Sequence, residues 1–390
     1  MKNYLLLIVY ILFLNSLLAQ NNVSAIDSIQ ASQQINGYQR IIINLNAIPQ
    51  GVTIGGYGEI LYNQPQGKNG EIDVQRLVML FGYKFDNRVQ FVTEIEFEHV
   101  KEVYVEQAFV NYTVANGINI RGGLMLVPMG IINEFHEPTT FNGVERPSMD
   151  NAIVPTTWRE IGIGVSGRLN TIGLGYQAYL FNGFLSHDGN VGKLRGSNGL
   201  RGGRQKGAES TLDHINLSTK LDYYGLINLR LGFSTYFGRT QAVDEQNAIP
   251  GSDIGLAMLG FDARYRRQGF TARGQYIITN LTDTEAYNQL TGNDLGSQLG
   301  GYYLEVAHNL LPLQNSQRLD AFIRYEDYNT HQKVANGISR NLAYDRQEWT
   351  LGLSYHLSQG SVFKLDYQSK KTASPDSRYG QFNMGVGVWF

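Results

Sequence analysis

Apolar and polar residues alternate along most of the chain, and a period of two predicts β-strands. From Val52 to Phe390, alternating segments of about ten to fourteen residues follow one another. In the segment from 88 to 99, one face carries Val89, Phe91, Ile95 and Phe97, and the other carries Gln90, Glu94, Glu96 and Glu98. This is the length that a tilted strand needs to cross the hydrocarbon layer of a membrane.

We predict sixteen strands: 52–62, 72–85, 88–99, 103–113, 118–127, 158–169, 172–182, 213–224, 227–239, 254–266, 270–281, 298–309, 318–329, 346–357, 362–371 and 379–390. The links between them alternate between tight turns, such as 86–87 and 268–269, and long loops, such as 128–157 and 183–212. The links at 310–317 and 100–102 depart from this rule. An even strand number with short turns opposite long loops is typical of outer-membrane barrels. Because an unpaired sheet edge is excluded from lipid, we expect an all-β, closed antiparallel barrel.

The segment from Pro128 to Thr157 has no strand period and is the longest of these loops beside 183–212. Loops of this length in a compact domain are usually functional. A barrel of about sixteen strands is too wide for wall side chains to fill. We therefore expect this segment to fold into the lumen and constrict it, with these candidate residues: Glu134, His136, Glu137, Glu145 and Arg146.

The two ends of the chain carry further signals. Lys2, an apolar run from 5 to 14 and a region ending at Ala19 are typical of a secretory signal peptide, so we predict three parts: 1–19 signal peptide, 20–51 periplasmic lead-in, and 52–390 transmembrane β-barrel. After residue 19 no apolar run approaches the length of a membrane helix. The last strand has five apolar residues on one face and ends in an aromatic residue, as outer-membrane barrels usually do: Phe382, Met384, Val386, Val388 and Phe390.

Composition narrows the classes of function. The chain has no Cys, which excludes disulfide and thiol chemistry, and its net charge of −2 gives no reason to expect nucleic acid as a partner. The 24 Tyr suit the aromatic girdles of a membrane barrel. A GxGxxG pattern at 162–167 lies inside an alternating strand and opens no helix, so we expect no dinucleotide site there.

Strand parity predicts charged walls inside the barrel. The inner face of the third strand carries an acidic wall, and the tenth and eleventh strands carry a basic wall opposite: Glu94, Glu96 and Glu98 against Arg264, Arg266 and Arg273. The turns would place Arg76 across from Glu98 and Arg264 across from Arg273. In a wet lumen these charges need no buried partners. Either they create a transverse field that favours polar solutes, or they form weak ion pairs and only solubilise the lumen.

The fourth extracellular loop, 183–212, is basic. Up to residue 207 it has one acidic residue, Asp188, and these cations: Lys193, Arg195, Arg201, Arg204 and Lys206. Such an extracellular basic loop binds lipopolysaccharide phosphates, draws anions to the mouth, folds into a neighbouring protomer, or is simply solvated. The sequence leaves these alternatives open.

Four motifs resemble outer-membrane porins of the phosphate-selective porin O and P type, in a divergent general-porin branch: GGYGEI (55–60), LVPMGIINEFHEPTTFNGVERP (126–147), PTTWREIGIGVSG (155–167) and LRGGRQKG (200–207). The resemblance implies a sixteen-stranded barrel, often a homotrimer, whose third extracellular loop folds inward. Phosphate-specific members carry an arginine ladder and a lysine cluster. Here the third-loop region offers only Arg146 and Arg159 as bases, against several carboxylates.

Together these observations predict a porin in the outer membrane of a Gram-negative bacterium, which passes small polar solutes or ions by passive diffusion. Its partners would be outer-membrane lipid and lipopolysaccharide. We expect no enzyme activity, no catalytic residue, no cofactor and no metal; the run from Glu94 to His99 fits lumen ion pairing better than a Ca²⁺ site. The alternatives are an anion- or phosphate-selective channel, an outer-membrane hydrolase, and a structural or adhesion barrel.

Overall fold

The computed structural model describes residues 35–243, 249–375 and 377–390. The predicted signal peptide, 1–19, lies outside the described residues, as does the lead-in up to residue 34. Within the described residues, sixteen antiparallel strands form a closed barrel in which each strand pairs with its neighbours in sequence order and the last strand pairs with the first. The predicted fold class is confirmed.

The barrel strands are β1 (Gly51–Pro65), β2 (Glu71–Lys84), β3 (Val89–Glu98), β4 (Glu102–Ala115), β5 (Ile118–Leu126), β6 (Arg159–Leu169), β7 (Leu174–Phe181), β9 (Asn216–Leu226), β10 (Leu229–Arg239), β12 (Gly255–Arg267), β13 (Phe270–Leu281), β14 (Gln298–Asn309), β15 (Arg318–Lys333), β16 (Asp345–Ser358), β17 (Ser361–Thr372) and β18 (Tyr379–Trp389). Two short strands, β8 (Leu185–His187) and β11 (Gln241–Ala242), pair with each other in parallel.

The described residues also form the helices α1 (Gly37–Asn46), α2 (Met149–Ala152) and α3 (Thr284–Thr291), and short 3₁₀ turns at Asn170–Ile172, Arg201–Gly203 and Leu342–Tyr344. In the part of the chain that the structure covers, no helix combines the length and the apolar character that crossing a membrane requires.

Along each barrel strand, exposed apolar residues alternate with buried polar ones. In β17, Phe363 and Leu365 are exposed, whereas Lys364 and Asp366 between them are buried. Exposed apolar side chains also occur on the outward face of the other barrel strands and form an outer belt around the barrel. An apolar belt around a whole barrel suits contact with lipid, not with water.

The turns set the register that parity predicts. Gln268 and Gly269 both adopt positive φ, the conformation of a tight two-residue hairpin turn. This turn pairs Arg264 with Arg273 across β12 and β13. On the other side of the barrel, Arg76 pairs with Glu98 across β2 and β3, as the turn at 86–87 predicts.

Helix α1 lies inside the barrel, within the predicted periplasmic lead-in, to which the sequence assigned no structure. Asn36 caps the helix by accepting a hydrogen bond from the Gln39 amide. The face at Ile41 and Leu45 is buried against the inner wall formed by β1, β2 and β3. Gly82 on β2 permits this approach, since a Cβ there would lie 2.3 Å from the Ile41 side chain.

Candidate functional site in the barrel lumen

Residues 127–158, here named the inner loop, contact the inner faces of distant wall strands. The backbone amide of Ile131 donates to Gln275 on β13 at 2.6 Å. Val144 donates to Asp366 on β17 at 2.5 Å, and Met149 donates to Glu326 on β15 at 2.9 Å. Wall carboxylates and amides thus satisfy backbone groups that regular secondary structure would otherwise pair. This explains how a segment with almost no helix or strand is held in place.

Apolar packing adds to these hydrogen bonds. One group of inner-loop side chains is fully or almost fully buried: Val127, Met129, Ile131, Ile132, Phe135, Phe141, Val144, Ile153 and Val154. Trp158 closes the segment, stacked on Phe184 with ring centroids 4.5 Å apart and donating its indole N–H to Glu160 at 2.8 Å. The inner loop therefore has a small hydrophobic core of its own inside the barrel.

A buried ion pair connects the inner loop to β9. Lys220 Nζ donates to Glu134 Oε2 at 2.9 Å and to the Gly130 carbonyl at 2.6 Å. Glu134 Oε1 also accepts from Gln177 on β7 at 2.9 Å and from Tyr38 of α1 at 3.4 Å. One carboxylate thus joins the inner loop, two wall strands and α1.

The other predicted loop residues are also placed. His136 Nε2 lies 2.9 Å from the Tyr57 hydroxyl, and the Glu137 carboxylate accepts from the Gly37 amide at the start of α1. Glu145 accepts from Asn63 on β1 at 2.7 Å, while Arg146 is half-buried. Glu134, His136, Glu137 and Glu145 thus contact the wall or α1 and form part of the packed interior.

The charges of the inner wall are buried and paired, so the expectation that a wet lumen would spare them buried partners is wrong. Arg76 lies 2.7 Å from Glu59 and 3.7 Å from Glu96. Arg324 is fully buried between Glu305 at 3.2 Å and Glu326 at 3.0 Å. The physical reason is that the inner loop and α1 occupy the space that wall side chains leave, and displace water from these groups.

The predicted walls lie on opposed strands of the barrel order but are compensated locally. Glu94 and Glu96 are buried on β3, whereas Glu98 is half-exposed at the strand end. Arg264 lies 3.2 Å from both Asp222 and Asp262. Arg273 lies 2.9 Å from Glu305, and Arg266 is exposed. Because its inward arginines have carboxylate partners, the basic wall produces a weaker field than unpaired charges would.

A water-accessible cavity of about 570 Å³ lies at the short-turn end of the lumen. Residues 139–142 of the inner loop form part of its lining. Arginines dominate its charged groups, with Glu305 and Asp320 as acids: Arg40, Arg230, Arg264, Arg266, Arg273 and Arg318. The sequence did not single out Arg40, Arg230 or Arg318, although Arg230 and Arg318 share the inner parity of their strands.

The basic fourth loop packs against the inner loop. Arg201 and Arg204 both donate to the Thr156 carbonyl, and Arg204 also donates to the carbonyls of Pro155 at 3.2 Å and Thr157 at 3.3 Å. Elsewhere in this loop Lys193 pairs with Asp188 and lowers the pKa of that carboxyl. Arg195 bridges to Gly199 through its backbone.

Four cations converge at the long-loop end of the lumen, opposite the cavity, and are named the rim cluster: Arg159, Arg201, Arg204 and Lys206. Lys206 and Arg159 both lie against the ring of Tyr104, at 4.7 and 5.7 Å from its centroid. Among the described residues, the ion pair of Arg159 with Glu106, at 4.0 Å, is the sole one within that distance for this cluster. Burial, with Arg201 and Arg159 nearby, lowers the pKa of Arg204 to about 9.

Comparison of the sequence with known proteins gives one close relative. An uncharacterized protein of Aquifex aeolicus (strain VF5) is 33% identical over 335 residues, which cover 82% of this chain and 76% of that protein. The chain belongs to the same family as this protein. No protein-family model matches the chain, so the closer resemblance to phosphate-selective porins O and P stays a prediction.

Solved structures share the fold at low identity. The loop-L8 deletion mutant of OmpT, an outer membrane protein of Vibrio cholerae, matches with a TM-score of 0.58 at 12% identity, over 88% of this chain and all of that one. The anion-selective porin from Comamonas acidovorans gives 0.57 at 12%, over 87% and 100%. DcaP, an outer membrane channel of Acinetobacter baumannii, gives 0.55 at 11%, over 88% and 98%. These likenesses show the fold of an outer-membrane porin barrel.

Proposed function

We propose that the chain is a passive outer-membrane channel of a Gram-negative bacterium for small polar solutes or ions. One observation carries the proposal: a closed sixteen-stranded barrel has an apolar belt outside, charged residues inside, and one long segment in its lumen. The apolar belt matches the lipid layer, and the charged interior gives polar solutes a route that lipid denies them. The shared fold with porin barrels supports this function.

The inner loop is the constriction in this proposal. In the described arrangement the loop and α1 leave mid-barrel wall residues such as Glu94, Lys220 and Arg324 almost without water contact. The route is therefore narrow here, and conduction increases when the inner loop moves away from β9, β13 and β15. The hydrogen bonds and ion pairs that hold the inner loop set the free energy of that movement.

Planar-bilayer recording of the purified, folded protein tests the proposal. We expect discrete conductance steps, because channel assemblies enter the bilayer one at a time. Protein that was heat-denatured and added at the same concentration serves as the control and should give no steps. Folded protein that inserts without any conductance would overturn the channel and favour a structural barrel.

Anion selectivity is a second candidate function, and the rim cluster favours it. Four cations with little carboxylate compensation at one end of the lumen attract anions. The arginines of the cavity at the other end contribute less, because most of them pair with carboxylates. The neighbour from Comamonas acidovorans is described as anion-selective, which fits this candidate. Phosphate as the preferred anion follows only from the sequence resemblance.

Reversal potentials in asymmetric KCl measure this selectivity directly. We expect the sign for anion preference in the wild type, and a clear shift toward zero in the double variant Arg201→Gln/Arg204→Gln. Arg378→Gln is the matched control, since Arg378 is exposed and bonds Ser369 on β17. A wild-type potential of the cation-selective sign would rule the second candidate out.

A homotrimer in contact with lipid and lipopolysaccharide is the assembly we propose for this channel. The trimer form of OmpT from Vibrio cholerae shares the fold, with a TM-score of 0.55 at 11% identity. Chemical cross-linking in mild detergent tests the assembly, and a ladder that ends at the single chain would exclude it.

A further inference from the structure

Four side chains with metal-ligating atoms converge where the inner loop meets β1, β3 and β4. The Tyr57 hydroxyl lies 2.8 Å from Glu94 Oε1, 2.9 Å from His136 Nε2 and 3.4 Å from Glu106 Oε2. His136 Nε2 is 3.3 Å from Glu106 Oε2. Ligand atoms of the two glutamates and the histidine all lie within 4.8 Å of one another, and all four residues are almost completely buried.

The outer contacts of these side chains orient them toward a common centre. His136 Nδ1 lies 3.1 Å from the Asn133 carbonyl, so this nitrogen donates there, and the lone pair of a neutral imidazole is then on Nε2. Glu94 Oε2 accepts from Gln107 at 2.6 Å, which holds Oε1 toward the centre. Metal-binding histidines and carboxylates are typically held by such second contacts.

Among the described residues, one buried carboxylate oxygen at this site lacks a hydrogen-bond partner, and the buried carboxylates outnumber the bases that pair with them. Glu106 Oε1 is buried and has no hydrogen-bond partner among the residues that the structure describes; the closest base is Arg159 at 4.0 Å. Glu94 and Glu96 lie near Glu106, and Glu59 shares Arg76 with Glu96, so four buried carboxylates are paired with three bases: Arg76, Arg159 and His136. Buried anions in excess of cations are costly, and a divalent cation would compensate two of them.

We propose that Glu94, Glu106 and His136, with the Tyr57 hydroxyl as a fourth group, bind a divalent transition metal ion, for which Zn²⁺ is the best probe. One imidazole with two carboxylates suits Zn²⁺, at ligand distances of about 2.0–2.2 Å after a small contraction of the cluster. Ca²⁺ fits poorly because it requires about six to eight oxygen ligands. Binding displaces the proton from His136 Nε2 when the imidazole is charged.

The bound ion would join the inner loop to three wall strands at one point. His136 belongs to the inner loop, whereas Tyr57, Glu94 and Glu106 belong to β1, β3 and β4. Sequence reasoning missed this site, because its ligands come from four separate segments and show no ligand spacing. The site does not rest on the proposed channel function, since it depends only on these contacts.

Metal content after refolding tests the site. The purified chain is refolded with Zn²⁺ or with a chelator, passed through a chelator-treated desalting column, and analysed for zinc by mass spectrometry. His136→Gln and Glu106→Gln remove ligands with little change in volume. His99→Gln is the matched control: His99 is an exposed histidine 2.5 Å from Asp73 and 3.9 Å from Glu98, and it represents weak surface binding. Heat-modifiable gel mobility confirms that each variant is folded.

We expect one zinc ion per chain in the wild type and in His99→Gln, and a roughly tenfold or greater loss in the two ligand variants. Zinc should also raise the urea midpoint of the wild type but not that of His136→Gln. A wild type that retains no zinc, or ligand variants that retain as much as the wild type, would overturn the site. If both ligand variants fail to fold, the visible spectrum of the Co²⁺-loaded wild type decides: intense four-coordinate bands support the site, and a weak six-coordinate spectrum refutes it.

Discussion

Replacement of Lys220 by methionine is the sharpest test of the inner loop as a constriction. Methionine keeps most of the apolar stem of the side chain but removes the charge that pairs with Glu134 at 2.9 Å and the donor to the Gly130 carbonyl at 2.6 Å. Glu134 would then remain buried without a direct ion-pair partner among the described residues. The hydrogen bonds from Gln177 and Tyr38, and the more distant charges of Arg121 and Arg230, would still stabilise its carboxylate.

The size of the effect follows from the burial of both partners. Loss of one member of a buried ion pair costs about 3–5 kcal/mol, because the other charge stays desolvated. We expect the lower end, about 3 kcal/mol, since Glu134 keeps two hydrogen bonds. When the inner loop moves away, Glu134 is hydrated again. The loss of the ion pair therefore destabilises the docked loop and not the displaced loop. A shift of about 3 kcal/mol changes the ratio of displaced to docked loop about 100-fold.

Single-channel recording measures this ratio as the fraction of time spent in the higher-conductance level. We expect Lys220→Met to raise that fraction strongly, and the double variant Lys220→Met/Glu134→Gln to return it toward the wild type because no buried charge is left. Arg239→Met is the control, since Arg239 pairs with Asp253 at 2.7 Å and lines neither the inner loop nor the arginine-rich cavity. Identical conductance and open fraction in Lys220→Met and the wild type would refute the reasoning.

Three further predictions concern docking and packing. Burial raises the pKa of Asp150 in α2 from 3.8 to about 7. Protonated Asp150 therefore stabilises the docked inner loop fully below pH 3.8, and this stabilisation is lost as pH rises through 7. Conductance should rise from pH 5 to 8, and a rise that persists in Asp150→Asn would exclude Asp150 as its cause. Trp158→Ala should lower the free energy of unfolding by about 3–5 kcal/mol in urea-titrated gel mobility, and a change below about 1 kcal/mol would show that the ring is not a packing centre. Gly82→Ala should displace α1 and expose residues 37–46 to protease. Gly122→Ala should not, since a Cβ there would lie 3.8 Å from its nearest neighbour.

The barrel was predictable from local patterns. Strand parity, turn residues and loop lengths placed the sixteen strands and the register of Arg76 with Glu98, because each depends on residues close together in sequence. The packed interior was not predictable in the same way. Lys220 and Glu134 lie in separate segments, and no spacing or period marks them as partners.

The position of α1 inside the barrel could not be predicted from the sequence for a related reason. Its apolar face, with Ile41 and Leu45, was visible only as a short burst in a polar region, and the surface that covers it comes from β1, β2 and β3. The rim cluster was visible as a run of basic residues in the fourth loop. Its partners, the carbonyls of 155–157 and the ring of Tyr104, are set by tertiary contacts alone.

The pairing of β1 with β18, which closes the barrel, also involves a contact with α1. Gly56 and Phe390 exchange backbone hydrogen bonds at 3.0 and 2.9 Å, and Arg40 of α1 lies 4.2 Å from the ring centroid of Trp389 on β18. Until these two edges meet, both expose unpaired backbone groups that lipid cannot satisfy. Because Trp389 both pairs with Tyr57 of β1 and contacts Arg40, closure of the barrel also brings the first described helix against the final strand.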